Sequence, residues 1–198
     1  MSVNKGGTTL NVLLGDVFFR SKMNQVSIRE MKQEDIESLY EIFLDKLSTK
    51  YWLTQCSTRE EVDRMIRIEY FSYYRRGLLA PYVIVVNNQV IGVCNFNDEF
   101  DGIARIGFIL NRHFEHHGYM KSALEQLIAT GISLREYHRI EALVFPQNEK
   151  SKRTLESIGF VKEATMSSYL KHQGHLYDID LYALVRRKED EKGIISEI

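Results

Sequence analysis

Residues that cross-link a chain or charge it heavily are scarce here. Cys56 and Cys94 are the only cysteines in 198 residues, too few for a disulfide framework and wrongly placed for a zinc site. They read as buried thiols in a reducing compartment. No charge of one sign dominates. Lys and Arg number 26 against 27 Asp and Glu, leaving a net charge of −1 and a pI near 6.6. A bulk field that would draw the chain to nucleic acid or to an anionic membrane is therefore excluded. No apolar run approaches the ~20 residues that a membrane span needs. The string LNVLLGDVFF near the N-terminus contains Asp16 and lacks a basic flank and a small-residue cleavage site, so it is not read as a signal peptide. A cytoplasmic location is the expectation that remains.

What is present is ordinary globular composition, 44% hydrophobic and 27% charged, in a length that suits one α/β domain. The expected domain covers 25–187, after an extension at 1–24 and before a charged tail at 188–198. Val26 to Glu30 reads as a strand. Ile36, Leu39, Tyr40, Phe43, Leu44 and Leu47 recur at helical spacing. Ser57 and Glu60 have the spacing of a capping box that opens a second helix, which Gly77 and Pro81 would end. Tyr82 to Val86 and Gln89 to Phe96 are strands joined through Asn87-Asn88, a hairpin signal because Asn tolerates positive φ. Strands are expected at Ala104 to Leu110, Ile140 to Phe145, Phe160 to Tyr169 and Tyr177 to Val185. Helices are expected from Met120 to Ile132 and from Glu149 to Ile158. The order is β-α-α-β-β-β-α-β-α-β-β, a mixed α/β domain. The aromatics between Tyr70 and Tyr82 read mostly as core.

Chemistry concentrates where strands hand over to helices. In the segment from Ile106 to Ile128 a strand ends near Leu110, and Gly118 opens a helix whose first N–H groups lack internal partners. Glycine there lets phosphate oxygens approach the main chain. Downstream, Asn148 stands between the strand Ile140 to Phe145 and the next helix, with Ser151 and Lys152 in that helix's first turn. Asn148 can cap the helix or bond an amide-bearing ligand. His113, His116 and His117 fall in a loop without nearby Cys and are read as solvent-exposed rather than as metal ligands.

Together Phe114-Glu115-His116-His117-Gly118-Tyr119-Met120, then His138-Arg139-Ile140-Glu141-Ala142, then Asn148, Ser151, Leu155, Gly159 and Phe160, and finally Asp178 and Tyr182, resemble the GNAT N-acetyltransferase superfamily. The resemblance is nearest to its ribosomal-protein-alanine N-acetyltransferase-like branch and spans about Val26 to Leu184. It implies a central mixed sheet of about seven strands flanked by about four helices, with two parallel strands splayed into a coenzyme A cleft. It further implies acetyl-CoA as co-substrate, with no metal. The pantetheine arm would meet main-chain groups of Ile109, Leu110 and Asn111. The pyrophosphate would rest on His116, His117, Gly118, Tyr119, Met120 and Lys121, with Ser122 beside them. Asn148, Ser151 and Lys152 would complete the donor side.

The implied reaction is direct attack of a neutral amine on the thioester, without an acyl-enzyme, polarised by the Leu110 N–H. Asn148 and Glu99 are the candidate catalytic side chains; the residues do not single out a base, and Glu30, Asp98 and Glu99 all lie on segments near the expected acceptor side. The acceptor would be a protein N-terminal amine or a small amine. Neither membrane nor direct nucleic-acid binding is expected, and a homodimer is left open. A catalytically silent acyl-CoA-binding protein of the same fold is the alternative. The chain departs from the family pattern at Glu115 and His116 in the phosphate loop, at Ser122, at Arg105 where an acid is common, and at Leu155 where many members carry Tyr.

Overall fold

The computed structural model describes residues 26–70, 73, 79, 81–172 and 174–186. The extension at 1–24, the tail at 188–198, Gly77 and the Arg75-Arg76 pair lie outside the described residues. Seven strands form one sheet in the order β1-β2-β3-β4-β5-β7-β6. They are β1 (Val26–Glu30), β2 (Tyr82–Val86), β3 (Gln89–Phe100), β4 (Ile103–Leu110), β5 (Arg139–Val144), β6 (Val161–His172) and β7 (His175–Val185). Among the described residues four α-helices flank the sheet: α1 (Ile36–Phe43), α2 (Arg59–Met65, continued by a π turn over Ile66–Tyr70), α3 (Tyr119–Arg135) and α4 (Glu149–Glu156). This is the mixed α/β architecture expected from the sequence.

Side-chain alternation sorts the core into two layers. Val83, Val85, Val90, Val93 and Ile109 face α1 and α2, packing on Leu39, Ile42, Phe43, Val62 and Met65. Ile84, Val86, Ile91, Cys94, Phe96, Ala104 and Ile106 face the other way, onto Ala123, Leu124 and Leu127 of α3. Cys56 and Cys94 are both buried, 3% and 0% exposed.

Several boundaries differ from the sequence reading for identifiable reasons. Asn87 and Asn88 do adopt positive φ (49° and 64°) between β2 and β3. A second hairpin escaped notice: β3 runs on past Phe96 to Phe100 and turns through Asp101-Gly102 (φ 48° and 76°) into β4. Asp-Gly between strands is itself a hairpin signal. The capping box of α2 is one residue later than expected. The Thr58 hydroxyl accepts from Glu61 N at 3.2 Å, while Glu61 Oε2 accepts from Ser57 N at 2.6 Å and Thr58 N at 3.3 Å. The sequence offers both frames, and Thr58 fills the N-cap. Leu47 does not continue α1, which ends at Phe43; its side chain is 65% exposed.

All neighbouring strands are antiparallel except β4 and β5. That parallel pair is short. Ile103, Ala104 and Arg105 pair with Arg139, Ile140 and Glu141, and beyond them the strands part. β5 continues with only β7 beside it, from Ala142 opposite Tyr182 to Val144 opposite Asp180.

Candidate active site

The parted strands open onto two cavities. The larger, about 940 Å³, extends from Phe108, Ile109 and Leu110 past the starts of α3 and α4. The smaller, about 500 Å³, lies on the α1–α2 face and is lined by Asn95, Asn97, Arg105, Gly107, Phe145 and several aromatics. They share Tyr51, Trp52, Phe108, Asn148 and Ser151, so they meet at the gap.

Backbone alternation decides which groups of β4 face that gap. Asn111 N donates to Ile91 O at 2.8 Å, and Gly92 stands opposite Leu110. In an antiparallel ladder this turns the N–H and C=O of Leu110 away from β3, towards the gap. The main-chain groups of Ile109 point the other way. The expectation that Ile109 and Asn111 offer free main-chain groups is thereby corrected. The Asn111 amide is taken, and its side chain accepts from His113 N at 3.0 Å.

At the start of α3, Gly118 has φ 75° and would place an added Cβ in open space. Glycine is thus required for the left-handed conformation, while its Cα face stays open to a ligand. Helical bonding begins with Ser122 N donating to Gly118 O at 3.1 Å, which leaves the amides of Gly118 to Lys121 without helical partners. His116, Gly118, Tyr119, Met120 and Lys121 line the large cavity. His117 and Ser122 do not. The Ser122 amide is engaged in the helix, and the His117 Nδ1–H donates to Glu115 O at 2.6 Å while its ring stacks on Tyr119.

Asn148 caps α4, its Oδ1 accepting Ser151 N–H at 3.3 Å, and lines both cavities with Ser151. Its NH₂ is the half left to face a ligand. Lys152 lies elsewhere. It bonds Glu149 at 3.0 Å and reaches Asp180 at 3.5 Å, because its helical position points at β7; Arg153, one residue on, lines the cavity. Glu149 and Asp180 raise the Lys152 pKa. Burial alone would raise the Asp180 carboxyl, but hydrogen bonds from Lys162 at 2.7 Å and Thr165 at 2.7 Å hold it below the ordinary range.

Glu99 is corrected as well. It pairs with Ala104 at the closed end of the sheet seam, beside Tyr137, whose hydroxyl burial and Glu99 both push up. It lines neither cavity. Among the described residues no cluster of His, Cys, Asp or Glu could hold a metal, and no helix is long and apolar enough to cross a membrane.

The sequence reading missed the loop between α1 and α2, which arches over the gap. Ser48 Oγ accepts from Arg112 N at 3.1 Å just past β4, and Tyr51 Oη donates to Gln147 O at 3.1 Å just past β5. Asp45 binds Arg112 at 3.1 Å, and its carboxyl is held low, chiefly by the Ser48 hydroxyl. Glu115 pairs with Lys150 across the large cavity, which offsets its carboxylate there.

A family model described as an acetyltransferase (GNAT) domain matches residues 25–161. The chain is 31% identical to an uncharacterized N-acetyltransferase, p20, of Bacillus licheniformis, over 83% of this chain and 94% of that protein. It is also 31% identical to the ribosomal protein uS5-alanine N-acetyltransferase of Escherichia coli, over 48% of this chain and 51% of that one. Among solved structures, RimL, the ribosomal L7/L12 α-N-protein acetyltransferase in complex with coenzyme A, superposes with a TM-score of 0.71 at 22% identity, over 84% of this chain and 96% of that one. At that identity the superposition speaks for the fold alone. A seam opened between parallel strands, a helix that starts at a left-handed glycine, and this match over most of the sequence agree: the chain belongs to the GNAT acetyltransferase family.

Proposed function

We propose that the protein transfers the acetyl group of acetyl-CoA directly to a primary amine. The observation that carries this reading is the parting of β4 from β5 beyond Arg105 and Glu141, with a cavity on each side of the opening. The pantetheine arm lies along the gap against the Leu110 main chain and the Asn148 amide. The pyrophosphate rests on the amides from His116 to Lys121, where unpaired N–H groups and the helix dipole favour negative charge. Arg153 and Lys121 stand at the nucleotide end.

The amine enters from the smaller cavity. Its lone pair attacks the acetyl carbonyl carbon, and the Leu110 N–H supports the oxyanion of the tetrahedral intermediate. The C–S bond then breaks, and the leaving thiolate takes up the proton that the amine gives up. An α-amine with pKa near ~8 is partly neutral at pH 7, so little help is required to deprotonate it. The names of the uS5-alanine and L7/L12 enzymes favour a protein N-terminal amine as acceptor, in the cytoplasm.

The test measures free thiol released from acetyl-CoA with tripeptides bearing a free α-amine, and separately calorimetric binding of CoA. Amine-dependent release is expected. Binding without release for any amine leaves a silent acyl-CoA-binding protein, and absence of binding removes the whole reading.

A further inference from the structure

The smaller cavity contains a polar arrangement that the donor side does not explain. Asn is unfavourable in strand interiors, yet Asn95 and Asn97 both lie within β3. Asn97 is the extra residue of a β-bulge: Phe96 pairs with Ile106 and Asp98 with Arg105, leaving Asn97 unpaired between them. Bulges re-aim side chains beside active sites. This one sets the two amides side by side, and Asn95 Nδ2 donates to Asn97 Oδ1.

Gly107, directly opposite Asn95, makes the arrangement possible. A Cβ there would come within 2.6 Å of the Asn97 side chain. Asn95 is 6% exposed, and its Oδ1 is enclosed without a hydrogen-bond partner. An orphaned buried acceptor of this kind destabilises the fold, a cost that an incoming donor would recover. The outer member of the pair, Asn97, is exposed and able to rotate. Around the pair stand Tyr51, Trp52, Tyr70, Tyr73 and Tyr169, and, as the one cation among the described residues that line the cavity, Arg105. Arg105 bonds Glu141 at 3.1 Å and lies 3.8 Å from Asp98, while its buried Nε has no partner.

Resting on the acetyl-transfer reading above, we infer that the Asn95–Asn97 amide pair binds and orients the acceptor's amino group, and that this pocket takes a primary amine carried on an uncharged apolar or aromatic body in preference to a polycation. Asn97 receives one N–H at the cavity surface, and its rotation opens the Asn95 oxygen to the second. The lone pair is left aimed at the gap. Among the described residues no carboxylate lines this cavity, so a second ammonium would find no counter-ion there.

The experiment compares Ala-Ala-Ala, phenethylamine and spermidine as acceptors for the wild type, Asn95→Ala and Asn95→Asp, with acetyl-CoA affinity measured by calorimetry for each. The wild type is expected to use the first two amines well and spermidine poorly. Asn95→Ala should lose about 10–100-fold in kcat/KM for the amine, with acetyl-CoA affinity unchanged. Asn95→Asp keeps the accepting oxygen but replaces the amide by a carboxylate, so it should lose less kcat/KM than Asn95→Ala for the neutral amines and narrow the deficit for spermidine. Wild-type rates in Asn95→Ala, an equal loss in both variants, or a preference for spermidine in the wild type would each overturn the inference. So would a wild type that binds acetyl-CoA yet uses none of the three amines. Failure of the wild type to bind acetyl-CoA sinks the acetyl-transfer reading instead.

Discussion

At one end of the β4–β5 seam three residue pairs are bonded, and four side chains lock over them. Arg105 meets Glu141 at 3.1 Å, Glu141 meets Arg139 at 2.8 Å, and Arg139 meets Glu163 at 2.6 Å. A few residues further along, the same strands have separated; aromatics and two helix starts take the place of paired neighbours. The closed end keeps the strands in register, and the open end leaves main-chain groups for a ligand. Stability and binding are therefore separable along a single pair of strands, and substitutions can address one end at a time.

The largest effect is expected from the closed end. Glu141→Ala leaves two partly buried guanidinium groups short of a partner and should cost about 2–3 kcal/mol in urea unfolding. Acetyl-CoA affinity of the folded variant should barely move. Gly118→Val acts at the other end. The blocked approach should weaken acetyl-CoA binding by about 1–3 kcal/mol in calorimetry, and the strain of a branched residue at φ 75° should cost about 1–2 kcal/mol in stability. If both variants lose both properties equally, the two ends are not separable.

Acidification should sharpen the contrast. Burial alone would raise the Glu141 pKa, but Arg139 and Arg105 hold it below its ordinary value of 4.5. A carboxyl whose folded pKa is lowered stabilises fully above the unfolded value and loses that contribution as pH falls through the folded one. Wild-type stability should thus decline below about pH 4.5, and Glu141→Gln should show a shallower decline in the same titration. The smallest effect belongs to the open end. Glu115→Gln removes a carboxylate from the phosphate-facing loop and releases Lys150, so acetyl-CoA should bind about two- to fivefold more tightly, most visibly at low salt.

Legibility in the sequence follows the range of the interaction. The Asn87-Asn88 turn and the helix after Gly118 are local events, set by residues whose backbone preferences are strong, and both could be read directly. The donor-side candidates were put forward on the same ground, since strand ends and helix starts leave punctuation in the sequence. Lys152 and Ser122 were misassigned because helical rotation places neighbouring residues on opposite faces, which a one-dimensional window does not resolve. Glu99 was displaced once β3 proved longer, carrying it to the closed end. The arch from Asp45 to Gln55 has no periodic signature, and its contacts with Arg112 and Gln147 span 64 and 96 residues. Asn95 and Asn97, amides within a strand, were passed over, and Tyr70 and Tyr73, read mostly as core, line the smaller cavity.

A handhold made of backbone is indifferent to which residue supplies it. Since the Leu110 main chain and the amides opening α3 face the gap whatever side chains they carry, only a change in strand path or in the glycine turn can erase the grip proposed for the thioester arm. The opposite wall is made of side chains, each replaceable on its own. Such a scaffold can change the amine it serves while keeping its acetyl source.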